Sequence, residues 1–195
     1  FYFIKPNEQE IKAEQALQDS LKNVREGILP TTDSTAAASN TVAFDSTLLA
    51  KPFGAARVGE EQIVTLENDV LKIELSSKGG KVKTVQLKGE KNFDGSELLI
   101  LEGNNNKFGF AFNAKGENIS TNELNFTVVN SSDKNAVLRL NYSNDQYLEY
   151  NYSLNEAGYN LGLNINAVGI QNLIDVKEKT IALDWESTYL QKEQN

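Results

Sequence analysis

From Glu61 onward the chain alternates apolar and polar residues with a period of two, and only an extended strand turns that pattern into two distinct faces. Leu71, Ile73 and Leu75 alternate with Lys72, Glu74 and Ser76. Phe108, Phe110 and Phe112 share a face, as do Leu138, Leu140 and Tyr142. Leu148, Tyr150, Tyr152 and Leu154 form a longer run, followed by Leu161, Leu163, Ile165 and Ala167, and then by Ile181, Leu183 and Trp185. Each run buries one face and wets the other. Turn residues punctuate them: Asn68-Asp69, Gly79-Gly80, Asp94-Gly95, Ser131-Ser132-Asp133 and Asn155-Glu156-Ala157-Gly158. Many strands joined by short loops predict an all-β antiparallel sandwich. There is no βαβ signal, and hence no dinucleotide crevice.

Ahead of the strands the pattern is different. Residues 7–27 predict a polar helix, with Pro6 before it, Gly27 to end it, and Leu17, Leu21, Val24 and Ile28 as a narrow apolar stripe. Phe1-Tyr2-Phe3-Ile4 followed by Lys5 has the character of a transmembrane segment leaving the bilayer. With no Met at its start, the sequence reads as a fragment that begins upstream. Residues 29–59 are small, polar and without period, which predicts a flexible linker, although Phe44, Leu48, Leu49 and Phe53 are candidates to dock on the strand region. The expected organisation is therefore a span end and polar helix over 1–28, a linker over 29–59, and a β-sandwich over 60–195.

Composition removes several functions. Nineteen basic against 27 acidic residues leave a net charge of −8, which repels phosphate and argues against nucleic acid as a partner. The chain has no Cys and no His, so disulfides, thiolate or imidazole metal sites and the usual neutral-pH general base are all missing. No catalytic residue, cofactor or metal is expected. Asp184 and Glu186 share a face of one strand at a spacing some glycosidases use, but solvated alternation accounts for them. Lys78-Gly79-Gly80-Lys81 joins two strands and reads as a turn needing positive φ rather than as a phosphate cradle, since no helix comes after it. The wet face of the run after Tyr159 is Asn160, Gly162, Asn164 and Asn166, a charge-free polar row. It is the candidate partner-binding face, expected to line a groove with aromatic rings at its margin.

The stretch Leu66-Glu67-Asn68-Asp69-Val70-Leu71-Lys72-Ile73-Glu74-Leu75-Ser76-Ser77-Lys78-Gly79-Gly80-Lys81-Val82 resembles the opening of the periplasmic domain of YidC-type membrane protein insertases. The similarity continues through Val85-Gln86-Leu87-Lys88 and, more loosely, through Tyr159 to Ile165. The resemblance implies a mutarotase-like β-supersandwich on the periplasmic side of a bacterial inner membrane, attached to it by segments outside this sequence, and strands continuing past Asn195. It implies a non-catalytic domain assisting insertion and folding of membrane proteins by contacting Sec translocon components or nascent membrane proteins. A carbohydrate-binding sandwich module is the alternative.

Overall fold

Alternating apolar residues can leave water together only when several strands align their inner faces, and the described residues form eleven strands. The computed structural model describes residues 46–103, 105–175 and 180–189, all within one unit spanning Ala43–Asn195. The span end and polar helix expected over 1–28, and the linker residues before 46, lie outside the described residues. The strands are β1 (Ile63–Glu67), β2 (Leu71–Ser76), β3 (Lys81–Lys91), β4 (Glu97–Leu101), β5 (Lys107–Ala114) and β6 (Glu117–Ser120), then β7 (Thr127–Ser131), β8 (Asn135–Ser143), β9 (Gln146–Leu154), β10 (Leu161–Val168) and β11 (Ala182–Glu186). They form an antiparallel sheet β1-β2-β3-β4, a second of order β10-β9-β8-β7, and a three-stranded sheet β11-β5-β6. The all-β antiparallel class read from the period is the observed one.

One core joins the three sheets. Leu66, Ile73 and Leu75 of the first, Leu138, Leu140, Tyr150 and Tyr152 of the second, and Phe112, Ala114 and Ile119 of the third belong to the same buried cluster. Tyr150 is its centre: fully buried, it meets Phe108, Phe110 and Phe126 at ring-centroid distances of 6.0, 6.4 and 4.8 Å. Burial pushes its phenol up to about 12. The Tyr152 hydroxyl donates 2.6 Å to the carbonyl of Gly80, so its polar end is satisfied inside the core.

Two connections explain why the strands meet as they do. Gly79 and Gly80 both have positive φ, +79° and +63°, as the turn reading required. A Cβ on Gly80 would lie 2.9 Å from the Tyr150 ring and 3.1 Å from Phe126, so the position demands glycine by space as well as by backbone. Buried Asn68 is the other. Its Oδ1 accepts from the N–H groups of Val70 and Leu71, forming the β1–β2 turn. Its Nδ2 donates at 2.9 Å to the carbonyls of Asn155 and Gly158 in the β9–β10 turn. One amide therefore ties two turns with every hydrogen-bonding position used.

The chain before β1 departs from the linker expected over 29–59. Residues 46–58 hold two short helices, α1 (Ser46–Leu49) and α2 (Gly54–Arg57), and Phe53 between them is 3% exposed. Its ring packs edge-on against Phe112 and Tyr142, and its φ of +58° is a conformation that a bulky residue adopts only when its surroundings hold it. Arg57 adds an ion pair to Glu117 at 3.2 Å. Composition suggested mobility, whereas Phe53, one of the residues expected to dock, holds the segment together with the pairing of Arg57. Among the described residues no helix is long and apolar enough to cross a membrane.

Candidate functional site

The strand that sequence reasoning singled out, β10, is an edge strand, paired only with β9 among the described residues. Its two faces differ in chemistry. Gly162, Asn164 and Asn166 are exposed on the outer face, with Asn160 exposed just before the strand. They stand opposite Ser153, Asn151 and Glu149 of β9. Next to them, Arg139 donates through Nε to Glu149 at 3.0 Å and lies 4.0 Å over the ring of Tyr147. Asn151 donates to the other oxygen of Glu149 at 3.1 Å. The Arg139 guanidinium, then the Asn151 amide, hold the Glu149 carboxyl below the ordinary carboxylate range, with Asn166 adding a hydrogen bond of its own. The face is a polar plate around one neutralised ion pair.

The clefts open on the other side of the same strand, so the amide row does not line the groove expected for it. Leu161 and Leu163 border a cleft of about 290 Å³ with Val82, Phe108, Trp185 and Tyr189. Ile165 and Ala167 border a second, of about 300 Å³, with Phe112, Leu148, Ile170 and Ile181. Phe108 and Phe110 supply the floor, in register with Trp185 and Leu183 of β11. Alternation predicted that Ile181, Leu183 and Trp185 lie on a buried face. The structure corrects this: they are 49%, 51% and 72% exposed, because β11 is itself an edge strand and no described residue covers its inner side. Two edges with apolar inner faces thus flank an open margin of the sandwich, and Tyr159 and Tyr189 stand exposed nearby.

Charged groups elsewhere are spoken for by structure. Glu186 accepts from Lys107 at 2.8 Å on the outer face of β11; that contact lowers the carboxyl and raises the amine from their ordinary values. Glu61 accepts from Lys83 at 2.8 Å and from the Ser76 hydroxyl at 2.7 Å, and both bonds lower its pKa. Beside it a polar cleft of about 280 Å³ holds Lys78, Lys81, Asn122 and Glu123. Partial burial lowers the Lys81 ammonium, which donates to the carbonyl of Asn106. Among the described residues no group of three or more carboxylates is placed to hold a metal ion.

Comparison with known proteins sets this geometry in context. The family model for the YidC periplasmic domain matches residues 63–172, more than half of the chain. The membrane protein insertase YidC of Phocaeicola vulgatus is 32% identical over 184 residues, covering 93% of this chain and 29% of the relative. Those of Parabacteroides distasonis and Bacteroides fragilis are 30% and 26% identical over 72% and 94% of this chain. The chain spans less than a third of the length of these curated relatives. A galactose mutarotase-like protein from Lactobacillus casei superposes on 53% of this chain and 43% of its own at 13% identity, with a TM-score of 0.39.

Proposed function

The chain belongs to the family of YidC periplasmic domains, and from that premise we propose that it is the non-catalytic periplasmic module of a bacterial inner-membrane insertase, docking translocon components or emerging membrane protein segments. The observation that carries the docking role is the open margin between β10 and β11. Exposed apolar side chains that cluster beside an apolar cleft mark interaction surfaces, whereas scattered ones such as Phe93, Ile63 and Val129 do not. Here Trp185 and Ile181, both exposed, line the clefts bordered by Leu161, Leu163 and Ile165. Support for a non-catalytic role comes from the carboxylates: Glu61, Glu149 and Glu186 are each held by a cation, which leaves them ionised and poorly suited to give or take protons at neutral pH. The outer amide row, Asn160, Gly162, Asn164 and Asn166, is the second candidate face for the same docking.

Two substitutions in the full-length insertase separate the faces. Trp185→Glu places a charge in the clefts at an already exposed position, and Asn164→Lys places one on the outer plate. Recovery of translocon components and cross-linking to nascent membrane proteins are the readouts, with the thermal midpoint as a control. Loss with Trp185→Glu supports the margin, and loss with Asn164→Lys supports the amide face. Unchanged recovery for both variants refutes the docking role.

A further inference from the structure

The turn Lys78-Gly79-Gly80-Lys81 spends its backbone amides inside the protein. The Gly79 N–H donates to Leu124 at 2.8 Å, that of Gly80 to Ser77 at 3.2 Å, and that of Lys78 to the Ser76 hydroxyl at 3.0 Å. The turn also brings Lys78 and Lys81 to one polar cleft of about 280 Å³. The walls of this cleft do not depend on the sheet edges. Ser76, Lys81 and Lys107 belong to β2, β3 and β5, each paired on both sides among the described residues. Asn122 and Glu123 come from the turn between β6 and β7. Part of its charge is spent: Glu61 is held by Lys83 and Ser76, and Lys107 by Glu186. Among the described residues, however, Lys78 has no carboxylate and Glu123 no cation within ion-pair distance. Lys81 donates to a single acceptor, the Asn106 carbonyl, although partial burial strips water from its ammonium. The Oδ1 of Asn122 is taken by the Phe108 N–H at 2.9 Å, which leaves its amide N–H groups as further donors. Donors on three side chains therefore share the cleft with one unpaired carboxylate, in a chain whose net charge of −8 otherwise repels anions.

We propose that this cleft binds a phosphoethanolamine group, with its phosphate on Lys78, Lys81 and Asn122 and its ammonium on Glu123. The site is independent of the docking role above. Lysine ammoniums bind phosphate as point charges, and a phosphodiester offers more oxygens to three donors than a carboxylate does. Glu123 is close enough for its charge to act on both Lys81 and Lys107, so it opposes a ligand that is only an anion and suits one that also carries an amine. The volume lies at the small end of ligand pockets, and every residue lining it is polar. A headgroup-sized molecule fits there and an acyl chain does not. Two sources present this chemistry, the headgroup of an aminophospholipid and a soluble ester of ethanolamine phosphate.

The probe is glycerophosphoethanolamine, titrated by calorimetry into the 195-residue chain and into the full-length insertase reconstituted in phosphatidylcholine. Saturable binding to both is expected. Lys78→Gln, at an exposed position, should weaken it about tenfold with an unchanged thermal midpoint. Lys91→Gln makes the same charge change at the far end of β3 and should leave binding as it is. Glu123→Gln tests the amine: it should weaken the ester about tenfold but not inorganic phosphate. Sedimentation with vesicles separates the sources. Binding that needs phosphatidylethanolamine in the vesicle and falls with Lys78→Gln assigns the lipid headgroup; saturable binding of the probe with no such vesicle dependence assigns the soluble ester. No saturable binding of the probe overturns the proposal, as does equal weakening by Lys78→Gln and Lys91→Gln. Glycine binding as tightly as the ester overturns the phosphate assignment, and an ester affinity untouched by Glu123→Gln overturns the zwitterion. Binding to the 195-residue chain but not to the full-length insertase also overturns it, because another segment then covers the cleft.

Discussion

Replacing Gly80 by alanine should destabilise the domain by an amount that separates two physical causes. The residue has a φ of +63°, where an L side chain costs ~1–2 kcal/mol. The added Cβ also meets the Tyr150 ring at 2.9 Å and the Phe126 ring at 3.1 Å. Both rings are buried and neither can swing toward solvent, so overpacking adds ~1–3 kcal/mol. The expected total of ~2–5 kcal/mol lowers the thermal midpoint by roughly 5–15 °C for a domain of this size. Gly89→Ala is the control. Gly89 has a φ of +84° but no atom within 4 Å of the position its Cβ would take, so only the backbone cost of ~1–2 kcal/mol remains. Circular dichroism melts and denaturant titrations of both variants measure the difference. Equal losses at the two positions would refute the packing argument, and an unchanged midpoint for Gly80→Ala would refute both parts of it.

Asn68→Asp removes the two N–H donors that reach Asn155 and Gly158 and sets a carboxylate against their carbonyls; a loss of ~2–4 kcal/mol in denaturant titrations is expected, and a loss below ~1 kcal/mol would mean that the two turns do not depend on each other. The Glu149 carboxyl ionises at lower pH in the fold than its ordinary 4.5, so its pairing with Arg139 stabilises fully above that value and is lost as pH falls below it. Glu149→Gln should therefore flatten the fall of the thermal midpoint between pH 5 and pH 3, by the equivalent of ~1 kcal/mol, and an unaltered slope would show that the pair contributes nothing. At the alkaline end, burial raises the phenols of Tyr150, to about 12, and Tyr152 above the ordinary 10.0, so stability holds below pH 10 and declines as pH rises from there toward 12. Tyr152→Phe should soften that decline while lowering stability at pH 7, because the Gly80 carbonyl loses its donor; a decline as steep as in the parent would assign it to other groups.

The strands were legible where alternation was strict and long. Leu71, Ile73, Leu75, Leu138, Leu140, Leu148, Tyr150 and Tyr152 are inward and buried because a period of two leaves one choice of face. β4 and β7 have only five residues each and break register, too little for a period to show. The anchoring of residues 46–58 was legible only in part: Phe53 stood out as a candidate to dock, but its partners Phe112 and Tyr142, and the pairing of Arg57 with Glu117, are long-range contacts that no local pattern encodes. At the site, alternation gave the correct facing of Trp185 and of the amide row but not what lies across from each. A period identifies the apolar side of a strand; whether anything covers that side is decided by sheet order. The clefts along β10 became visible only once β10 and β11 were seen to be edges.

The shared amide of Asn68 also bears on the order in which this domain can assemble. Its acceptors lie 87 and 90 residues further along, at Asn155 and Gly158. Until the hairpin of β9 and β10 has emerged, the first turn keeps two unsatisfied donors, and Tyr150, which packs against Phe126 and over Gly80, is also absent. The first sheet therefore gains its tie through Asn68, and its packing against Tyr150, only after β9 and β10 are present. Contacts of such long sequence separation slow folding, and they concentrate it late. In a chain that emerges N-terminus first, the contacts that tie its first turn to its second sheet form only after the ninth and tenth strands arrive.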